Sequence, residues 1–179
     1  MFLGFKLIQS EKIRIYKTEE KDMDAIALLK ADHKVVADLF AQVEKTGPAK
    51  HPEIFTKIKA ELDAHAHIEE AIFYPRLKAE GSKELADIVL EGIEEHHQIK
   101  MFLAELESLS GKAEEFEPKL KVLIEDTEHH VKEEEGEMFP LVKKEFDKKV
   151  IEDLGTQMEA EKEKFKASHK PAAGKAQKA

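Results

Sequence analysis

Nine histidines stand in a chain of 179 residues, and four of them recur beside acids at fixed spacings. His65 is followed four residues later by Glu69, and His130 by Glu134. On a helix, residues four apart lie one above the other, so each pair can converge on one point. Asp32-His33 and Glu95-His96 each add one further imidazole. Imidazole with carboxylate and no thiolate is a ligand set for first-row metals; it favours iron over softer metals, with zinc and manganese also compatible. Four nitrogens and two carboxylates suit two such ions, each with two His, bridged by both Glu. The chain has no Cys, so disulfides, Cys-ligated zinc, iron–sulfur clusters and thiol nucleophiles are excluded.

Converging on one point requires helices with a common interior. Ala, Glu, Lys, Leu and Arg make up about half of the chain, the composition of long helices. Four helical stretches are expected: Asp22 to Lys45, Pro52 to Gly81, Ser82 (as N-cap) to Ser110, and Pro118 to Glu145. Each carries an apolar stripe at three- and four-residue steps. The stripes are Ile26, Leu29, His33, Val36, Phe40, Val43; Ile58, Leu62, His65, Glu69, Ile72; Leu85, Val89, Gly92, His96, Ile99, Leu103, Leu106; and Leu120, Leu123, Thr127, His130, Glu134, Met138, Leu141. Short connections imply antiparallel neighbours. The fold class is therefore all-α, an up-down-up-down four-helix bundle, with an extra C-terminal helix from Lys149 to Lys166 docked on the outside.

The chain also repeats at about half length. His33 matches His96 with an offset of 63, and His65, Glu69, Glu70 and Pro75 match His130, Glu134, Glu135 and Pro140 with an offset of 65. Two helical hairpins related by a pseudo-twofold axis are expected.

His33, His65, Glu69, His96, His130 and Glu134 thus all sit where a bundle wants Leu. An unpaired buried carboxylate costs several kcal/mol and would rather take up a proton than stay charged. No Lys or Arg lies on the stripes to neutralise the two Glu, whereas metal cations would. One His on an apolar face is ordinarily a hydrogen-bonded core residue; six polar residues matched across both halves are not. The remaining histidines read differently. His67, His97 and His129 align by the repeat with Lys132, Lys34 and Ala64, beside the stripe, and are expected to be solvated or to support the ligands from behind. Glu70 and Glu135 do have counterparts, and are expected to be exposed or to hold a ligand His in place. His51 and His169 receive no role.

The longest apolar run, Ala25 to Leu29, is too short to span a membrane. The start, with Lys6 breaking its apolar run, resembles no signal peptide, so a cytoplasmic protein is expected. Residues 1–21 are expected to form an N-terminal extension, with a weak strand-like alternation at Ile13 to Tyr16. Residues 22–166 form the bundle domain. Residues 167–179, rich in Ala and Lys, are expected to be a disordered tail. A net charge of −9 argues against nucleic acid or an anionic membrane as partner.

From Asp22 to Lys166 this pattern resembles a hemerythrin-like (HHE, cation-binding) domain: Asp-His, then His-x-x-x-Glu-Glu with Pro six residues after the first Glu, then Glu-His, then the second motif again. The resemblance implies a non-haem di-iron centre in a four-helix bundle. Carried over, His33 and His65 would bind one iron and His96 and His130 the other. Glu69 and Glu134 would bridge them with an oxo or hydroxo group. The oxygen carriers of that family have a further His one turn after the third-helix His, where this chain has Lys100. They also have His-x-x-x-x-Asp in the last helix, where this chain has His-x-x-x-Glu. Both departures argue against reversible oxygen carriage. The Lys100 ammonium is expected to leave for water, so that a small diatomic ligand or peroxide can reach the open position.

Three functions fit: a metal-binding or sensing protein, a di-iron enzyme acting on peroxide or oxygen, and a metal-free scaffold, in that order. No catalytic residue is assigned. An enzyme of the ferritin-like kind would want Glu-x-x-His in two helices. The one such spacing, Glu94 to His97, lies beside the stripe.

Overall fold

The computed structural model describes residues 24–169, and all the regular structure in them is helical. Helix α1 spans Ala25–Lys45. Helix α2 runs His51–Ile68, widens through a π-helical turn over Glu69–Phe73 and resumes as Tyr74–Glu80. Helix α3 spans Lys83–Ser108. Helix α4 repeats the design of α2: Phe116–Glu133, a π-helical turn over Glu134–Met138, then Phe139–Glu145. Helix α5, Lys148–Ser168, packs across α1 and α2. The bundle with one added helix is as expected, but that helix runs on through Ala167 and Ser168, the start of the expected tail; residues 1–21 and the tail from residue 170 onward lie outside the described residues.

Local chemistry sets the starts and stops. Asp24 caps α1 by accepting the Ala27 N–H at 2.8 Å, and Ser82 caps α3 by accepting from Leu85, as its place in the sequence indicated. Pro75 and Pro140 account for the two π-helical turns. A proline inside a helix cannot bond to the carbonyl four residues back, and its ring crowds that carbonyl. Both helices relieve this by one inserted residue just upstream, so that the N–H of Tyr74 reaches the carbonyl of Glu69 and that of Phe139 reaches the carbonyl of Glu134.

The inserted residue corrects two positions of the stripes. Past Glu69 the interior receives Phe73, Tyr74 and Leu77 rather than Ile72, which is only partly buried. Past Met138 it receives Phe139 and Val142 rather than Leu141. Every other stripe residue is buried as expected.

The interior has three layers along the bundle axis. One apolar layer gathers Leu29, Phe73, Leu77, Leu85, Phe139 and Met158 with their neighbours, and includes the inner face of α5. The opposite one gathers Phe40, Phe55, Ile58, Leu103, Phe116 and Leu120. Each fully buried side chain of this size contributes roughly 1.5–3 kcal/mol. Between the two layers lies a polar one, made of the six inward residues.

Candidate metal centre

All six residues singled out by the spacing meet in the polar layer, and none is more than 6% exposed. The imidazoles form two pairs. The ring centroids of His33 and His65 lie 4.9 Å apart, and those of His96 and His130 4.6 Å apart. Both carboxylates face both pairs. Glu69 Oε2 lies 3.1 Å from His65 Nε2 and 3.3 Å from His96 Nε2. Glu134 Oε2 lies 3.1 Å from His33 Nε2, 3.6 Å from His130 Nε2 and 4.0 Å from His65 Nε2.

Behind each imidazole stands another carboxylate. Glu135 Oε1 is 2.9 Å from His33 Nδ1, Glu70 Oε1 3.0 Å from His96 Nδ1, and Glu95 Oε2 2.7 Å from His130 Nδ1. Asp32 Oδ2 is 3.6 Å from His65 Nδ1. At His33, His96 and His130 the carboxylate on Nδ1 fixes the tautomer that presents Nε2 inward and raises its basicity as a ligand, whereas Asp32 faces His65 Nδ1 without hydrogen-bonding to it. Three of these acids are anchored by lysines: Glu135 by Lys30 at 2.7 Å, Glu70 by Lys100 at 2.5 and 2.6 Å, and Asp32 by Lys162 of α5. Among the described residues no lysine holds Glu95; His129, at 3.8 Å, and Glu133 stand beside it.

The inward atoms form a donor set that hydrogen bonding leaves unfinished. His33 Nε2, His65 Nε2, both oxygens of Glu69 and Glu134 Oε2 are buried with no hydrogen-bond partner. Such orphans are costly inside a protein. Ligand atoms of His65, Glu69, His130 and Glu134 all lie within 4.8 Å of one another. Imidazole nitrogens and carboxylate oxygens aimed at one small space fit metal cations, and the orphaned lone pairs are those that cations would take.

Without cations, protons do part of this work. Burial opposes a proton on His65, but Glu69 and Asp32 outweigh it and raise its pKa to about 10. Burial likewise opposes one on His96, which Glu69 and Glu70 raise to about 9. Glu69 is correspondingly held well below the usual carboxylate range: its burial works the other way, and His65 and His96 overcome it. The hydrogen bond from His96, then Lys100, brings Glu70 down to about 2. The interior therefore carries its own compensating charge, which the absence of Lys and Arg from the stripes does not reveal.

Three further findings concern residues beside the stripes. Lys100 points away from the centre and is 40% exposed, as expected; what the sequence does not show is that its ammonium is held on Glu70, the carboxylate behind His96. His67 bonds to Glu161 and stacks on Phe165 of α5, and His97 is exposed; neither reaches the inward set, nor does His129. His51, given no role, is buried at the far end of the bundle, donating to the carbonyls of Val43 and Thr46 and pairing with Glu117.

Tyr74 is the residue that the spacing missed. It is 1% exposed, stacks on His96 and donates its hydroxyl to Glu134 Oε1 at 2.9 Å. Burial, followed by the charges of Glu134 and Glu69, raises its pKa well above the ordinary phenol value, which keeps it a donor. In an uninterrupted helix it would point beside the stripe. The proline at 75 was the available signal that the turn widens there.

Two of the comparisons with known proteins name the same family. The family model described as hemerythrin HHE cation binding domain matches residues 24–142. A solved structure of a hemerythrin HHE cation binding domain-containing protein from Mycobacterium kansasii superposes with a TM-score of 0.69 at 25% identity, over 81% of this chain and 88% of that one. A curated protein from Nostoc sp. named DNA nickase is 29% identical over 153 residues, 83% of this chain but 42% of that protein. The chain thus spans less than half the length of that relative. Among the described residues, no helix is long and apolar enough to cross a membrane.

Proposed function

This chain belongs to the hemerythrin HHE cation-binding family, and from that premise we propose that it is a non-haem di-iron-binding protein that binds or senses oxygen, reactive oxygen or nitrogen species, or iron itself. In this reading His33 and His65 hold one iron, His96 and His130 hold the other, and Glu69 and Glu134 lie between them. The observation that supports it is the convergence of four imidazoles and two carboxylates whose inward lone pairs are largely orphaned. When bound, an iron pair supplies one-electron chemistry toward small ligands such as oxygen, peroxide or nitric oxide.

The chain's own residues do the rest. Glu70, Glu95 and Glu135 orient three of the imidazoles and Asp32 faces the fourth; the two apolar layers keep bulk water out; among the described residues Tyr74 brings a hydroxyl to the set. That buried hydroxyl, a hydrogen-bond donor beside the set, also favours the second reading, a di-iron enzyme acting on peroxide or oxygen. The nickase activity named for the Nostoc relative is not carried over: more than half of that protein lies outside the match, and a net charge of −9 opposes a phosphate backbone.

The test is elemental analysis of protein purified from iron-replete cells, with its near-ultraviolet spectrum. Two irons per chain and the charge-transfer bands of a bridged ferric pair are expected. One metal or none per chain, without those bands, overturns the paired centre; two manganese or zinc ions overturn the choice of iron.

A further inference from the structure

The two halves of the bundle are closely matched around the centre, and one of their differences lies in the aromatic residue that stacks on each imidazole pair. The offset of 65 that carries Glu69 onto Glu134 carries Tyr74 onto Phe139, and the offset of 63 that carries His33 onto His96 carries Leu29 onto Gly92. Both aromatic rings do the same thing: Phe139 stacks on His33 at 5.9 Å between centroids, and Tyr74 on His96 at 5.5 Å. The hydroxyl has no counterpart. Gly92 makes its room, because a Cβ there would stand 3.1 Å from the phenol oxygen and 3.5 Å from Cζ. In the other half the fully buried Leu29 occupies the matching position.

The hydroxyl divides the two carboxylates. Tyr74 takes Glu134 Oε1, so only Oε2 of that residue is left without a partner, and Oε2 lies nearest His33. Glu69 has no such donor, and both its oxygens are without partners. Resting on the di-metal reading above, we propose that Tyr74 is a positioning residue that makes the two cation positions unequal. Glu69 offers an oxygen to each cation. Glu134 commits Oε2, its unengaged oxygen, to the His33–His65 side. The His96–His130 position receives one carboxylate oxygen fewer, so it binds its cation more weakly and is the position open to an outside ligand. Lys100, turned away on Glu70 one helical turn from His96, leaves that same side free.

Anaerobic titration of the metal-free full chain with cobalt(II), followed by its visible absorption, tests this. The unmodified protein is expected to fill in two steps whose dissociation constants differ by about tenfold or more, the size of effect that groups behind a ligand exert. Tyr74→Phe reproduces the residue of the other half and frees Glu134 Oε1. The second step should tighten until the two differ by less than about threefold, at unchanged stoichiometry. Gly92→Ala sets a methyl against the phenol and should bring the steps together in the same way, which covers the case of a poorly folded Tyr74→Phe. Two equal steps in the unmodified protein, or a separation that survives both variants, overturn the inference while leaving the paired centre intact. Fewer than two cations bound overturns both.

Discussion

Glu70 makes the sharpest test of how the centre is held, because it touches the His96 imidazole and no inward donor atom. It accepts from His96 Nδ1 at 3.0 Å and is itself gripped by Lys100 at 2.5 and 2.6 Å. Removing an outer partner of a metal-binding imidazole typically costs roughly 10–100-fold in metal affinity, equivalent to about 1.4–2.8 kcal/mol. Glu70 is about one-third exposed, which screens its charge and argues for the lower half of that range when only the charge is lost. Glu70→Gln, which keeps an oxygen for Nδ1–H, should therefore weaken metal binding by about tenfold, and Glu70→Ala, which also frees the ring to rotate, by several tens. Lys100→Met should matter less, about threefold, because Lys100 acts only through Glu70.

The two substitutions must also be non-additive. In a Glu70→Ala background the lysine has nothing left to hold, so Lys100→Met should add nothing. Competition against a coloured chelator, with each dissociation constant measured at fixed pH, closes the double-mutant cycle. The reasoning is refuted if Glu70→Ala binds metal within about threefold of the unmodified chain. It is equally refuted if Lys100→Met costs as much without Glu70 as with it. The same geometry revises the sequence-level view of Lys100. Lys100→His would not simply add an imidazole; it would first remove the brace behind His96.

Other residues give independent checks. His65→Ala should strip most of the metal, whereas His67→Ala should leave metal content unchanged and loosen α5, seen as faster amide exchange or proteolysis of that helix, since His67 meets Glu161 and Phe165 there. Lys162→Met should weaken metal binding by a few-fold through Asp32 and His65, and a loss of α5 packing with no change in metal affinity would separate that helix from the centre. The pKa of His51 is raised, because Glu117 and the Thr46 and Val43 carbonyls outweigh the burial that opposes its charge. Its contribution to stability is thus fully present below about pH 6.5 and declines as pH rises toward the higher folded value. The stability lost in His51→Gln, read from urea midpoints, should accordingly be largest near pH 6 and shrink on going to about pH 8; a constant or growing difference would contradict the pairing.

The six inward residues were legible because their signal is local: spacing on one helix decides which face a side chain takes. Asp32 and Glu95 stood in the same quoted motifs yet carried no readable role. Each serves a histidine on the next helix, so its role depends on which helix is next. Tyr74 and the exchange of Leu141 for Val142 were hidden by the widened turns, where the three-to-four periodicity fails for one residue. The prolines at 75 and 140 were visible, but only their effect on the backbone, not their presence, tells which residue turns inward. The partner of Lys100 was hidden for the same reason as that of Asp32: it lies on another helix.

Those cross-helix partners nevertheless follow one rule that was written in the sequence. Asp32 on α1 serves His65 on α2, Glu70 on α2 serves His96 on α3, Glu95 on α3 serves His130 on α4, and Glu135 on α4 serves His33 on α1. The circuit visits every helix once and closes. In α1 and α3 the acid precedes the inward His; in α2 and α4 it follows the inward Glu. One residue is about a 100° turn about a helix axis. Seen from one end of the bundle, a step backward on an ascending helix and a step forward on a descending one rotate in the same sense. All four acids therefore lean toward the next helix round, and never toward the previous one. A bundle wound in the opposite order would aim each acid at the wrong neighbour and strand the Nδ1 groups of His33, His96 and His130, which the acids now engage. The alternation of acid-before and acid-after thus encodes both the centre and the order of the helices around it. The polar layer that interrupts the core is also what fixes the helices in register.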